Sequence, residues 1–216
     1  MIHFTDRRNA GQRLAMALGH LSGRDLVVVG LAPGGVVVAE EVAHALDAPL
    51  DAIVIRDIEA PLDPDVVIAA VAPDASHVDT VQVRRLGVTP QYLGNALVRA
   101  TWEVRTRDAL YRGDRPPAPL ENRIVVLVDD GTATVVSMRA AIASIRRHQP
   151  HELIVAAPVR GPGLDHLGVG VDAFVCLSHA AASEAVGDWY DQFPPIGDEQ
   201  VMAALNSASL QLGHDR

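Results

Sequence analysis

Lysine is absent from this chain of 216 residues, and all 18 of its basic residues are arginines. That absence excludes a Schiff-base lysine, a pyridoxal-phosphate anchor and a Walker-type phosphate loop, each of which needs an amine on a flexible stem. A cation that meets a phosphate here must be an arginine, a metal ion or a helix N-terminus. Cysteine occurs once, so no disulfide framework is possible. Cys176 lies in the apolar run Ala173-Phe174-Val175-Cys176-Leu177, which reads as a buried strand with the thiol as a small core group. No apolar run reaches the roughly 18 residues needed to cross a membrane, and Met1 to Arg8 lacks a signal-peptide core. The expectation is a cytoplasmic protein without a membrane partner. Runs of positive charge are missing too: net charge is −9, so a nucleic acid partner is not expected.

Hydrophobic residues make up 49% of the chain, enough for one good core, and its length is at the upper end of what one domain usually holds. From Asp6 to about Leu21, Ala10, Leu14, Leu18 and Leu21 recur at helical spacing. A β-branched strand at Leu26 to Gly30, a tight loop at Gly34-Gly35 and a helix from Val37 to Leu46 follow. Further apolar strands are read at Ala52 to Ile55, Ile124 to Val128, Leu153 to Ala157 and around Cys176, with a helix from Val136 to His148 and a short element near Leu164 to Leu167. Unbroken apolar strands alternating with helices imply a doubly wound α/β parallel sheet with helices on both faces, whose ligands bind beyond the carboxyl ends of the strands.

Residues 58–120 interrupt that alternation and read as an inserted hood over the upper edge of the sheet, within a single domain spanning 1–216. Two β-like pieces, Val66 to Val71 and His77 to Val83, precede a helix from Thr89 to Tyr111 that would bury Leu93, Leu97, Val98, Trp102 and Leu110. The nine histidines include no pair at metal-ligand spacing, so no zinc site is expected.

The most informative segment is Val125-Val126-Leu127-Val128-Asp129-Asp130-Gly131-Thr132-Ala133-Thr134, a buried strand ending in two acids and a loop of small residues that opens onto a helix. Adjacent side chains diverge at a strand end, so one acid can face a ligand hydroxyl and the other a neighbouring loop or a hydrated metal. Free amides at the helix start, with the hydroxyls of Thr132, Thr134 and Ser137, suit a phosphate. A plainer reading has the two aspartates capping the helix and holding loop amides.

This segment resembles the diphosphate-sugar loop of type I phosphoribosyltransferases. The likeness extends to Asp6-Arg7-Arg8-Asn9-Ala10-Gly11, Gly34-Gly35-Val36, Tyr111 to Pro117, Trp189 to Phe193 and Asp198-Glu199, which are similar to a bacterial phosphoribosyltransferase-like subgroup. The resemblance implies attack of a nitrogen base on phosphoribosyl diphosphate, with Mg²⁺ as cofactor, a sugar phosphate or nucleotide as small-molecule partner, and a homodimer. It implies that Asp129 and Asp130 hold ribose hydroxyls and, through water, the metal. Gly131, Thr132, Ala133, Thr134, Val135 and Ser137 would hold the 5′-phosphate. Pro33, Gly34, Gly35 and Arg56 would serve the diphosphate, and Arg160 the base side.

Three positions depart from the family pattern. Val135 stands where the family has glycine, and forcing it into a glycine conformation would cost about 1–3 kcal/mol. Pro33 stands where the subgroup has arginine. Asp57 replaces a lysine beside the expected diphosphate; at roughly 5 Å and an effective dielectric near 20, reversing one charge shifts binding by up to about 6 kcal/mol. Arg56, Arg84, Arg85 and Arg160 are the candidates to compensate. Two readings therefore stand: a Mg²⁺-dependent transferase with an altered diphosphate site, or a catalytically inactive descendant acting as sensor or dimeric structural partner. A dinucleotide-binding domain lacks its Gly-x-Gly-x-x-Gly spacing, and a serine hydrolase its Gly-x-Ser-x-Gly turn.

Overall fold

The computed structural model describes residues 3–131, 133–161, 164, 167, 170–180 and 185–212, with side chains up to 208 at the C-terminal end. Five strands build the main sheet: β1 (Leu26–Ala32), β2 (Leu50–Val54), β6 (Ile124–Val128), β7 (Glu152–Arg160) and β8 (Ala173–His179). Their order is β2-β1-β6-β7-β8 and every pairing is parallel. Successive side chains of a strand point to opposite faces, and the strands alternate between two cores accordingly. Val28, Val126, Val128 and Ile154 face α1 (Arg7–Ala17), α2 (Gly34–Leu46) and α6 (Asp198–Leu212). Val27, Val29, Val125, Leu127 and Val155 face α5 (Val135–Arg146). Both faces of β1 and β6 are therefore buried, which is why these strands carry no polar alternation. The doubly wound sheet expected from the sequence is present.

A second, antiparallel sheet of three strands follows β2: β3 (Arg56–Ala60), β4 (Asp63–Val71) and β5 (Ser76–Val78), in the order β3-β4-β5. It packs against α5 on one side and α4 (Pro90–Arg112) on the other. The β-like stretch expected at His77 to Val83 is instead split. Asp79 accepts the amides of Val81 and Gln82 at 3.0 Å each and starts the short helix α3 (Thr80–Arg85), overriding the local strand propensity. Gly34 and Gly35, expected in a loop, form the first turn of α2 after a cis Ala32–Pro33 bond.

Helix α4 is present; of the side chains expected to be buried, Leu93 and Leu97 pack against the core and Val98, Trp102 and Leu110 do not. Ala96, Ala100, Val104 and Tyr111 point inward with Leu93 and Leu97 beside them, whereas Val98 and Trp102 are 74% and 67% exposed and Leu110 is half exposed. Ala96, Ala100, Val104 and Tyr111 recur at spacings of four and seven residues, which puts them on one face of the helix. Cys176 is half-buried rather than buried, since β8 is an edge strand. The element expected near Leu164 to Leu167 lies largely outside the described residues.

The N-terminal segment meets the 189–191 segment at the carboxyl edge of the main sheet. Phe4 and Tyr190 form an isolated parallel bridge, with the Phe4 amide donating to Trp189 O at 2.9 Å and the Asp191 amide to Phe4 O at 2.8 Å. Phe4, Ala10, Val159, Trp189 and Tyr190 close a small third core there.

Candidate functional site at the end of the sixth strand

Strand β6 delivers Asp129 and Asp130 to the carboxyl edge of the sheet, between β1 and β7. Both are almost wholly buried, at 1% and 2% exposure. Asp129 turns into its own loop, where Oδ2 accepts the amides of Gly131 at 2.8 Å and Ala133 at 3.0 Å. Its other oxygen, Oδ1, is buried without a hydrogen-bond partner among the described residues. Burial, reinforced by the neighbouring Asp130 carboxylate, pushes the Asp129 carboxyl up to about 7 despite the loop amides that favour its charged form.

Asp130 turns the other way. Arg7 Nε donates to its Oδ2 at 2.8 Å. Arg7 is itself buried, donates to Pro194 O at 2.7 Å and stacks 3.7 Å over the Phe193 ring. The Tyr190 hydroxyl donates to Asp130 O at 2.7 Å, and burial next to these two carboxylates raises that phenol. Asp130 thus joins the opening helix and the 190–194 segment to the end of β6. The sequence shows these segments only as likenesses and gives no sign of their meeting, because Arg7, Asp130 and Tyr190 share no local spacing.

Close backbone approach accounts for the glycines around the acids. A Cβ on Gly34 would collide with Asp130 Oδ2, and one on Gly35 would fall 2.6 Å from Val128 O. Gly131 has φ +106°, and a Cβ there would lie 2.9 Å from Val159 O. The start of α2 therefore presses directly on the end of β6, placing Pro33, Gly34 and Gly35 beside the acid pair.

Thr134 caps α5, its Oγ1 accepting the Ser137 amide at 3.0 Å. Val135 is the first residue of α5 and is absent from the positive-φ positions, so the strain expected of it is not present: the chain enters the helix directly. Ser137 Oγ lies 2.6 Å from Thr134 Oγ1 and donates to Asp57 on β3, whose two oxygens are 2.7 and 2.8 Å away. Burial pushes the Asp57 carboxyl up, with the Ser137 hydroxyl opposing. Asp57 thus meets the start of α5, the segment expected from the sequence to hold the 5′-phosphate, and not the residues expected to serve the diphosphate. Thr132 lies outside the described residues.

Arg56, expected from the sequence to serve the diphosphate, is engaged by acids of β3 and α4. Its Nε donates to Glu103 of α4 at 2.7 Å and its Nη1 lies 3.4 Å from Glu59, because neighbouring residues of a strand point to opposite faces and Asp57 takes the inward one. Arg84 and Arg85 are solvent-exposed in the last turn of α3. Arg160 ends β7, with Nη2 3.1 Å from His179 Nδ1 and its guanidinium 5.0 Å from the Phe174 ring centre. Cys176 Sγ lies 3.5 Å from His179 Nε2 in the same corner. Among the described residues no group of three or more His, Cys, Asp or Glu is arranged to hold a metal ion, and no helix is long and apolar enough to cross a membrane.

A cavity of about 660 Å³ lies elsewhere, at the opposite end of α5, between Ser144 to Gln149, the 117–121 segment, Asp51 and Arg112. Its Arg112 is engaged by Asp51 and Asp108, and its His148 by Asp74.

The family description "Phosphoribosyl transferase domain" matches residues 7–166. Proteins from two strains of Mycobacterium tuberculosis, CDC 1551 and H37Rv, each named as a phosphoribosyl transferase, are 37% identical over 210 residues, covering 95% of this chain and 47% of theirs. The chain spans about half the length of these curated relatives. The crystal structure of TT1426 from Thermus thermophilus superimposes with a TM-score of 0.78 at 38% identity, over 95% of this chain and 98% of that one.

Proposed function

Because the chain belongs to the phosphoribosyl transferase domain family, we propose that the loop of residues 129–137 binds a ligand containing ribose 5-phosphate. The observation that carries this reading is Asp129: one oxygen holds the loop amides of Gly131 and Ala133, while the other is buried with no described partner. An unmet acceptor in that position costs about 1–3 kcal/mol until something donates to it. A ribose hydroxyl or a metal-bound water supplies such a donor, and the start of α5 next to it suits the phosphate.

The finer reading is phosphoribosyl transfer from phosphoribosyl diphosphate to a nitrogen base, carried out in the cytoplasm by a homodimer. The donor set fits Mg²⁺ in part. Asp129 Oδ1 is suited to a hydrated cation, whereas Asp130 has the Arg7 guanidinium at 2.8 Å. The ion would then be held chiefly by the ligand's own oxygens, and when bound it would neutralise the departing diphosphate. The protein's own contribution would be positioning: Asp129 on the ribose side, the amides and hydroxyls of 131–137 on the phosphate, the glycine backbone of Gly34 and Gly35 on the diphosphate, and Arg160 toward the base.

A second reading, a catalytically inactive sensor or structural partner, is favoured by the pairing of Arg56 with Glu103 and Glu59, which leaves the diphosphate side without that cation. Isothermal titration of phosphoribosyl diphosphate with and without Mg²⁺, against ribose 5-phosphate as control, separates the two. Metal-dependent binding of the diphosphate supports transfer. Binding of ribose 5-phosphate alone supports the sensor, and silence with both removes the ribose reading. Light scattering on the eluting protein tests the homodimer.

A further inference from the structure

Helix α5 already has its cap in Thr134, yet a second acceptor reaches its first turn from 80 positions away. That acceptor is a carboxylate, Asp57, carried on β3 at the edge of the three-stranded sheet and opposite Ala70 of β4. Ser137 has a single hydroxyl proton, and its Oγ lies 2.7 and 2.8 Å from the two Asp57 oxygens. With that proton directed at Asp57, the 2.6 Å contact between Thr134 and Ser137 has Thr134 as donor. Both hydroxyl protons therefore run in one chain, from Thr134 to Ser137 to Asp57.

We propose that Asp57 is an internal competitor for the ligand's phosphate group: its carboxylate occupies the anion-accepting start of α5, and a phosphate binds there only by displacing it. The inference rests on the reading of the 129–137 loop as a ribose 5-phosphate site. A helix start alone would not carry it. The independent observation is the buried Asp129 Oδ1 with no described partner, inside the loop that leads into the same helix. The protein thus has an internal anion at the start of α5, while one oxygen of Asp129 in the loop before it has no hydrogen-bond partner among the described residues.

The geometry distinguishes a competitor from a structural cap. A cap satisfies amides that have no other partner, whereas Asp57 accepts from a hydroxyl that would otherwise be free to serve a ligand. It does so half-buried, where burial pushes its carboxyl up. A phosphate and Asp57 cannot share the Ser137 proton, and they repel each other as like charges. Asp57 thereby sets the phosphate affinity of the site without touching the sugar.

Titration of inorganic phosphate, ribose 5-phosphate and ribose into the full chain and its Asp57→Asn and Asp57→Ala variants tests this. Thermal melts of each establish that it is folded. Either variant is expected to bind inorganic phosphate and ribose 5-phosphate at least tenfold more tightly than the parent, with ribose unchanged. Adding Ser137→Ala to Asp57→Asn should remove most of the gain. Equal phosphate affinity in parent and variants overturns the proposal, as does absence of phosphate binding in all of them. If Asp57→Asn gains inorganic phosphate but binds ribose 5-phosphate no better than inorganic phosphate, the competitor role stands and the ribose reading fails.

Discussion

Arg7 and Asp130, 123 positions apart, form a 2.8 Å ion pair with side-chain exposures of 9% and 3%. Such a pair gains little net stability by itself, because burying each charge offsets the attraction, but losing one partner leaves the other uncompensated. Arg7→Ala should therefore destabilise the protein by about 3–5 kcal/mol in urea unfolding, adding the lost contacts with Pro194 and Phe193. The double change Arg7→Met with Asp130→Leu should recover much of that loss. If it is no more stable than Arg7→Ala alone, the pair is not what joins these segments.

Gly34 is needed by the same pair. A Cβ there would collide with Asp130 Oδ2 and lie 3.1 Å from Arg7 Nε. Gly34→Ala should cost about 1–3 kcal/mol through overpacking. Gly94, exposed within α4 and with open space around its Cβ position, is the contrast. Gly94→Ala should stabilise by roughly 0.5–1 kcal/mol, the helix-propensity difference. Chemical denaturation of both variants reads the opposite signs.

Asp129 makes stability depend on pH. Its folded-state carboxyl is raised to about 7, above its value in the unfolded chain, so the folded state binds the proton more tightly. Its contribution is most favourable at pH below the unfolded carboxyl's value, near 4, and is lost as pH rises through about 7. In metal-free buffer, Asp129→Asn should stabilise the protein at pH 8 and reduce the fall in stability between pH 5 and 8. A variant that follows the parental profile throughout would show that Asp129 is not the titrating group.

The outward face of α4 should tolerate change. Trp102→Ala is expected to alter stability by less than about 0.5 kcal/mol, since its side chain is 67% exposed. Leu127→Ala, at a fully buried position in β6, should cost about 2–5 kcal/mol. A large loss at Trp102 in dilute solution would place that face in contact with another surface.

The sequence by itself determined the doubly wound sheet, because an apolar run such as Ile124 to Val128 is stable only with both faces covered, and that pattern is local. It also marked the loop from Asp129 to Ser137, since a strand ending in acids and small residues before a helix is legible in a dozen consecutive positions. Local rules failed where two chemistries competed over a few residues, as at Asp79, whose capping of α3 displaced an expected strand, and in α4, where spacing alone did not say which face is inward. Only the tertiary structure decided the partners of the charged side chains: Arg7 with Asp130, Arg56 with Glu103, and Asp57 with Ser137. These pairings join positions 123, 47 and 80 residues apart. A hydrogen bond depends on distance and direction in space, which chain spacing does not encode. The same acids that sequence reading assigned to a ligand were thus divided by the fold: Asp130 to a buried arginine, and Asp129 to its own loop with one oxygen left unmet.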